Sequence, residues 1–77
     1  MISSTPLSAV VICFNEEEII SSCLNALLRV ADEIVVLDSF STDKTPEICR
    51  SKGVRFYQQK FIDYGSQKQD AVKLCRF

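Results

Sequence analysis

The sequence predicts an α/β fold, a three-layer βαβαβα unit built on a parallel sheet, and three observations carry that reading. Short apolar runs at residues 7–14, 34–37 and 54–57 are separated by stretches whose apolar residues recur at helical spacing. The first two runs are nearly unbroken rather than alternating, the pattern of strands covered on both faces. Strands that alternate with helices lie parallel, joined by right-handed crossovers. At 77 residues the chain is about half the usual length of one domain, which excludes a multidomain reading.

Residues 1–6 carry no Lys or Arg ahead of the apolar run and are expected to be a disordered lead-in rather than a signal peptide. Leu7 to Phe14 is the first strand. Asn15 ends it and is placed to cap a helix whose first turn is Glu16, Glu17 and Glu18, where acids meet the positive end of the helix dipole. In that helix Ile19, Ile20, Cys23, Leu24, Leu27 and Leu28 share one face. Ile34 to Leu37 is a second buried strand, ended by Asp38 and a polar loop from Ser39 to Lys44. Thr45 and Pro46 read as the cap and first residue of a second helix, since proline there forgoes an N–H that has no partner anyway. Ile48 and Cys49 face inward, and Gly53 closes the helix as the left-handed residue beyond it. Residues 54–57 are the third strand. After an irregular segment through Asp63, Tyr64 and Gly65, Ser66 is expected to cap a last helix with Ala71, Val72, Leu74 and Cys75 inward.

Composition narrows the function. The chain is 47% hydrophobic and 25% charged, a globular balance. It has no histidine, which removes Ser-His-Asp and Cys-His catalysis and most zinc sites. The cysteines at 13, 23, 49 and 75 form no CxxC pair and neighbour aliphatic residues, so they read as small buried hydrophobes kept reduced in a cytosol. No apolar run approaches the ~20 residues of a membrane span. Up to residue 43 seven acids face one base, Arg29, and thereafter eight bases face three acids. Those bases are scattered without aromatic interleaving, so a solvated basic face is expected and no nucleic-acid partner.

Ligands of such sheets collect beyond the carboxyl ends of the strands. Asn15 and Glu16 follow the first strand there, Asp38 the second, and residues 59–66 the third. Neither GxGxxG nor GxxxxGKS/T follows the first strand, so a dinucleotide fingerprint and a P-loop are both missing. Glu16 sits where a phosphate would otherwise rest.

Three motifs in order, SAVVICFNEEE from Ser8 to Glu18, EIVVLDSFSTDKTP from Glu33 to Pro46 and GSQKQDA from Gly65 to Ala71, resemble the family 2 glycosyltransferases. The wording from Asp38 to Asp43 is most similar to bacterial enzymes of the lipopolysaccharide-core glucosyltransferase type, and the resemblance spans nearly all of residues 7–77. It implies the N-terminal half of a GT-A, Rossmann-like domain that binds the nucleotide of a sugar-nucleotide donor. The implied donor is a UDP-sugar, and the acceptor a glycan or lipid-linked glycan of cell-envelope biosynthesis (lipopolysaccharide or another polysaccharide). By resemblance the nucleotide-binding residues are Phe14, Asn15, Glu16, Asp38, Ser39 and Lys68. Phe14 would offer its ring to the base, Asp38 would accept the N3–H of uracil, and Lys68 would reach the base or the diphosphate. Plainer roles stay open: Phe14 as the last core residue of its strand, Asn15 and Glu16 as helix caps, Asp38 as an acid bonded to its own turn. Asp43 is expected to order its loop.

The family's enzymes hold Mg²⁺ or Mn²⁺ with a DxD motif and deprotonate the acceptor with a later carboxylate. No Asp-x-Asp occurs in this sequence, and Asp38 and Asp43 stand five positions apart. No catalytic residue and no metal ligand is therefore assigned to the chain; the implied metal would be held by downstream residues. The expectation is a partial domain over residues 7–77, truncated before the DxD motif and inactive alone. It is also expected to be cytoplasmic and, in a full-length enzyme, peripheral on the inner membrane. The implied strand order, 3-2-1, leaves the first strand as an uncharged open edge through which copies could self-associate. Two other classes stay open: a non-enzymatic α/β module that binds a partner protein, and a flavodoxin- or receiver-like module. The latter lacks an acidic cluster after the first strand.

Overall fold

In the computed structural model, which describes residues 7–76, three parallel strands and three helices alternate along the chain. The strands are β1 (Ser8–Cys13), β2 (Glu33–Asp38) and β3 (Arg55–Gln58); the helices are α1 (Ile20–Leu28), α2 (Thr45–Ser51) and α3 (Tyr64–Leu74). The lead-in expected over residues 1–6 lies outside the described residues. The sheet order is β1-β2-β3, with Ser8 opposite Glu33, Cys13 opposite Asp38, and Asp38 opposite Gln58. The three-layer α/β architecture is the one the sequence predicts.

Successive strand side chains point to opposite faces. On one face Cys13, Ile34 and Val36 meet Ile20 and Leu24 of α1 and Cys49 of α2, with Val11, Leu27 and Phe56 packed around them. On the other face Val35 and Leu37 are closed off from solvent where α3 packs on β1 and β2, its buried residues being Gln67 and Ala71. Burying each large aliphatic side chain is worth roughly 1.5–3 kcal/mol, so the carboxyl ends of β1 and β2 are held from both sides. β2 is central and all six of its residues are buried, whereas β1 is an edge and stays half-buried up to Ile12.

At the opposite end of the sheet the buried Glu33 accepts from Ser8 Oγ (2.8 Å), Arg55 Nη1 (2.7 Å), and the backbone amide (2.8 Å) and Nε (3.0 Å) of Arg76. These bonds tie the segment after α3 to β2. The Arg76 amide is the main cause holding the Glu33 pKa at about 2; Ser8 and Arg55 add to it, against the opposing effect of burial.

Several local expectations are corrected. α1 begins at Ile20, not Glu16. Residues 16–18 form a turn in which the Glu16 carbonyl accepts from the amides of Ile19 (3.1 Å) and Ile20 (2.8 Å). Asn15 takes a left-handed conformation (φ 52°), which steers the chain into that turn instead of capping a helix. α3 is capped by Asp63, whose Oδ1 accepts from the Ser66 amide at 2.7 Å, and Ser66 lies inside the helix. A carboxylate there complements the positive helix end better than a hydroxyl. Cys23, Val72, Leu28 and Ile19 are exposed and Cys75 is half-buried, so the buried thiols are Cys13 and Cys49. Gly53, at φ 73°, is the left-handed residue after α2 that the sequence predicts.

Candidate functional site

The two loops at the carboxyl ends of β1 and β2 are clasped to each other by side chains. Three successive amides of the β1–α1 loop donate into the β2–α2 loop and the first residue of α2: Asn15 N–H to Ser41 Oγ (2.8 Å), Glu16 N–H to Thr45 Oγ1 (2.9 Å) and Glu17 N–H to Asp43 Oδ2 (3.2 Å). In return the Thr42 amide donates to Asn15 Oδ1 at 2.8 Å. Asn15 therefore joins the loops, which explains its left-handed backbone. Asp43 also accepts from the Thr45 amide at 2.9 Å. Partial burial works against its charge, but the bonds from Thr45 and the Glu17 amide outweigh that and hold its carboxyl below the usual range.

Asp38 lies beneath the clasp. Its side chain is closed off from solvent and points, like its register partner Cys13, to the α1/α2 side of the sheet. Oδ2 accepts from the Ser41 amide (2.8 Å) and Gln58 Nε2 (3.3 Å); Oδ1 accepts from the Ser41 hydroxyl and the Cys13 thiol (3.3 Å). All four bonds come from within the chain, so the direct contact with uracil expected of Asp38 would have to displace one of them. The plainer reading, an acid bonded to its own turn, describes what the structure shows. Burial and then the Asp38 contact push the Cys13 thiol well above its ordinary pKa, and burial raises Cys49, so both are unreactive as thiolates.

Alternation then sends Ser39 to the α3 side, where a cleft of about 420 Å³ opens beyond β1 and β2. Its walls include Ile12, Phe14, Glu16, Ser39, Phe61 and Tyr64. Phe14 is 54% exposed and Tyr64 74%, so neither ring serves as core. Phe61 and Tyr64 meet edge to face with centroids 5.0 Å apart. Ser39 is fixed by its amide, which donates to the Cys13 carbonyl (3.0 Å), and by its Oγ, which accepts from Gln67 Nε2 (2.8 Å). Of the residues the sequence singles out, Phe14, Glu16 and Ser39 line this cleft; Asn15 braces its rim and Asp38 its floor. Lys68 is exposed on α3 and is not among the lining residues. Phe61, Tyr64 and Gln67 were not anticipated; the aromatic pair three residues apart just before the third helix is the one signal that could have pointed to them.

Among the described residues no group of three or more His, Cys, Asp or Glu side chains could hold a metal ion. Asp38 is engaged by Ser41, Cys13 and Gln58, and Asp43 by the Thr45 and Glu17 amides, so this pair does not fit a cation site. No helix of the described residues is long and apolar enough to cross a membrane.

A parallel sheet flanked by helices, with an aromatic-walled cleft at the carboxyl ends of its strands, defines a Rossmann-like α/β unit with its cleft where such folds take their ligands. The chain belongs to glycosyl transferase family 2, whose family model matches residues 8–75. It is 41% identical over 97% of its length to the lipopolysaccharide core biosynthesis glycosyltransferase LpsC of Rhizobium meliloti, covering 29% of that protein. It is 39% identical over 86% of its length to a dolichyl-phosphate hexose transferase of Haloferax volcanii, covering 30% of it. Glucosyl-3-phosphoglycerate synthase from Mycobacterium tuberculosis, solved with Mn²⁺, UDP and glucosyl-3-phosphoglycerate, superposes with a TM-score of 0.62 at 33% identity. That match covers 69% of this chain and 20% of the synthase. The fold is thus the GT-A, Rossmann-like one, and the chain spans less than a third of the length of these relatives.

Proposed function

We propose that this chain is the nucleotide-holding N-terminal part of a sugar-nucleotide-dependent glycosyltransferase, with a uridine diphosphate sugar as donor. The observation that carries the proposal is the aromatic cleft at the carboxyl ends of β1 and β2, lined by Phe14, Tyr64 and Ser39. In this reading a base lies against the Phe14 ring, a contact generally worth ~1–3 kcal/mol per stacked base. Asn15 and Glu16 shape the rim, and Lys68 serves the diphosphate side from the exposed face of α3. Asp38 acts only as a positioning residue, through Ser41 and the clasp. The solved synthase with UDP supports the choice of uridine.

These residues hold no Asp-x-Asp and, among the described ones, no acidic cluster fit for Mg²⁺ or Mn²⁺, so the 77 residues are expected to turn over no sugar nucleotide by themselves. The likeness to a lipopolysaccharide core biosynthesis enzyme supports a cell-envelope acceptor, and the reading includes a cytoplasmic site of action, peripheral to the inner membrane. NMR titration of the chain with UDP tests the proposal. Amides of Phe14, Glu16, Ser39 and Tyr64 are expected to shift, and ADP to shift them less. Saturating UDP that leaves them unmoved, or moves only the opposite end of the sheet, overturns the reading.

A further inference from the structure

Residues 60–69, the irregular stretch after β3 and the first six residues of α3, are built as a unit set apart from the sheet. The segment is closed at its base, where Gln59 Nε2 donates to Asp70 Oδ2 at 2.6 Å. Gln59 is itself fixed by its amide, which donates to the Asp38 carbonyl at 2.9 Å. Inside the segment Asp63 accepts from Ser66 and the rings of Phe61 and Tyr64 meet, so its contacts are largely its own. Eight of its ten residues are exposed, and Gln67 alone among them is buried. Among the described residues, the side-chain hydrogen bond that ties it to the rest of the chain is Gln67 Nε2 to Ser39 Oγ, at 2.8 Å. That seat is imperfect, because Gln67 Oε1 is buried without a partner. A dry acceptor is disfavoured by about as much as such a bond gains, and water satisfies both ends of the carboxamide once it is released. By contrast α1 is seated by the buried Ile20 and Leu24.

We infer that residues 60–69 are a flap over the cleft, hinged at the Gln59–Asp70 tie and caught by Gln67 on Ser39, whose seated form exchanges with a lifted one. Few buried apolar contacts and an exposed backbone are the marks of a segment that opens locally. Phe61 and Tyr64 belong to the flap and line the cleft, so lifting widens it. The opposite wall cannot follow, since the β1–α1 and β2–α2 loops are cross-braced by Ser41, Asp43 and Thr45. Ala71, the other buried residue of α3, lies beyond the hinge and stays on the sheet. The cleft thus has one fixed wall and one that moves, with the lifted form populated at roughly 1–10%. This is a property of the free chain, whatever ligand the cleft takes.

NMR relaxation dispersion on the free 77-residue chain tests this. Exchange on the microsecond-to-millisecond scale is expected at the amides of residues 60–69 and of Ser39, and not at residues 15–17 or 41–45 in the clasp. Gln67→Leu keeps the bulk of the seat but gives the lifted form an exposed apolar side chain, so the population of that form is expected to fall about tenfold. A Gln67 that merely pins the helix predicts the opposite sign, because losing its bond to Ser39 would loosen the segment and raise the exchange. Gln67→Met, an unbranched side chain of similar length, repeats the measurement if leucine does not fit. Flat profiles over residues 60–69 in the wild type, profiles that spread equally into the clasp, or variants whose exchange is unchanged or larger overturn the inference. None of these outcomes bears on nucleotide binding, which the UDP titration decides separately.

Discussion

Asp38→Asn keeps the shape of the side chain but turns one of its two acceptors into a donor, and so separates scaffolding from ligand contact. In the native structure Ser41 donates to both oxygens, through its amide at 2.8 Å and through its hydroxyl, while Cys13 and Gln58 add longer bonds at 3.3 Å. The carboxamide can keep the bond from the Ser41 amide only by setting its NH₂ group against the Ser41 hydroxyl, which must turn from donor to acceptor, and every remaining bond loses its charged partner. At ~1.5–3 kcal/mol for a hydrogen bond to a charged acceptor, about 2 kcal/mol is lost in Asn and about 3–6 in Ala. A chain of 77 residues has roughly 4–12 kcal/mol of stability in all, so the alanine variant risks unfolding and the asparagine one is the informative change. With a urea slope of about 1 kcal/mol/M for so small a protein, the Asp38→Asn midpoint should fall by about 2 M. Urea titration followed by circular dichroism measures that shift, and UDP titration of the folded variant should give an affinity within about threefold of wild type, a change below the worth of one hydrogen bond. An unchanged midpoint together with a tenfold or greater loss of UDP affinity would refute the scaffolding argument and return Asp38 to the ligand.

Other outcomes follow from the same geometry. Glu33 has a folded pKa of about 2 against an ordinary 4.5, so the unfolded chain takes up the proton first; its contribution is complete above about 4.5 and is lost as pH falls toward about 2. The urea midpoint of the wild type should drop across that window and that of Glu33→Gln much less; equal slopes would remove Glu33 as the cause. Gly53→Ala meets nothing within 4 Å, so its cost of ~1–2 kcal/mol should come from the left-handed backbone (φ 73°) alone, read as a lowered melting temperature. We expect the open β1 edge to make the chain self-associate, seen as concentration-dependent sedimentation. Val10→Lys should suppress this with less core damage than Val11→Lys, because Val11 packs against the α1/α2 cluster; a monomer at all concentrations would show the edge to be inert. A thiol reagent should modify the exposed Cys23 in the native state, and Cys13 and Cys49 only after unfolding, which mass mapping of labelled peptides would decide.

What could be read from the sequence was whatever rests on local periodicity. The unbroken runs around Val10 and Val35 announce strands, and Gly53 announces a helix end, because each reports burial or backbone freedom at its own position. Asn15 defeats the same logic. It looks like a helix cap, yet its partners Ser41 and Thr42 lie 26 and 27 residues away, and no local rule weighs a contact across two loops. Asp38 is misleading for a related reason: strand alternation decides which face it takes, and a one-residue difference in where β2 ends would exchange its place with Ser39. Gln67 reads as a solvated helix residue until α3 is laid over β2, when its polar end meets Ser39. The fold was therefore legible almost throughout, whereas the site was legible in its location more than in the part each side chain plays.

The clasp between the two loops also sets how the cleft would answer to a bound ligand. In glycine-rich phosphate loops the amides after the first strand are satisfied by the arriving anion, so loop and ligand come to order together and a lost phosphate lets the loop go. Here Ser41, Asp43 and Thr45 hold those amides permanently, as a resident substitute built from the chain itself. A ligand bound in the cleft would then carry little ordering cost on this side, and its departure would remove nothing on which the loop depends. The clasped side is a fixed anvil rather than a latch: on the nucleotide reading proposed above, it would offer the same surface before and after the ligand reacts.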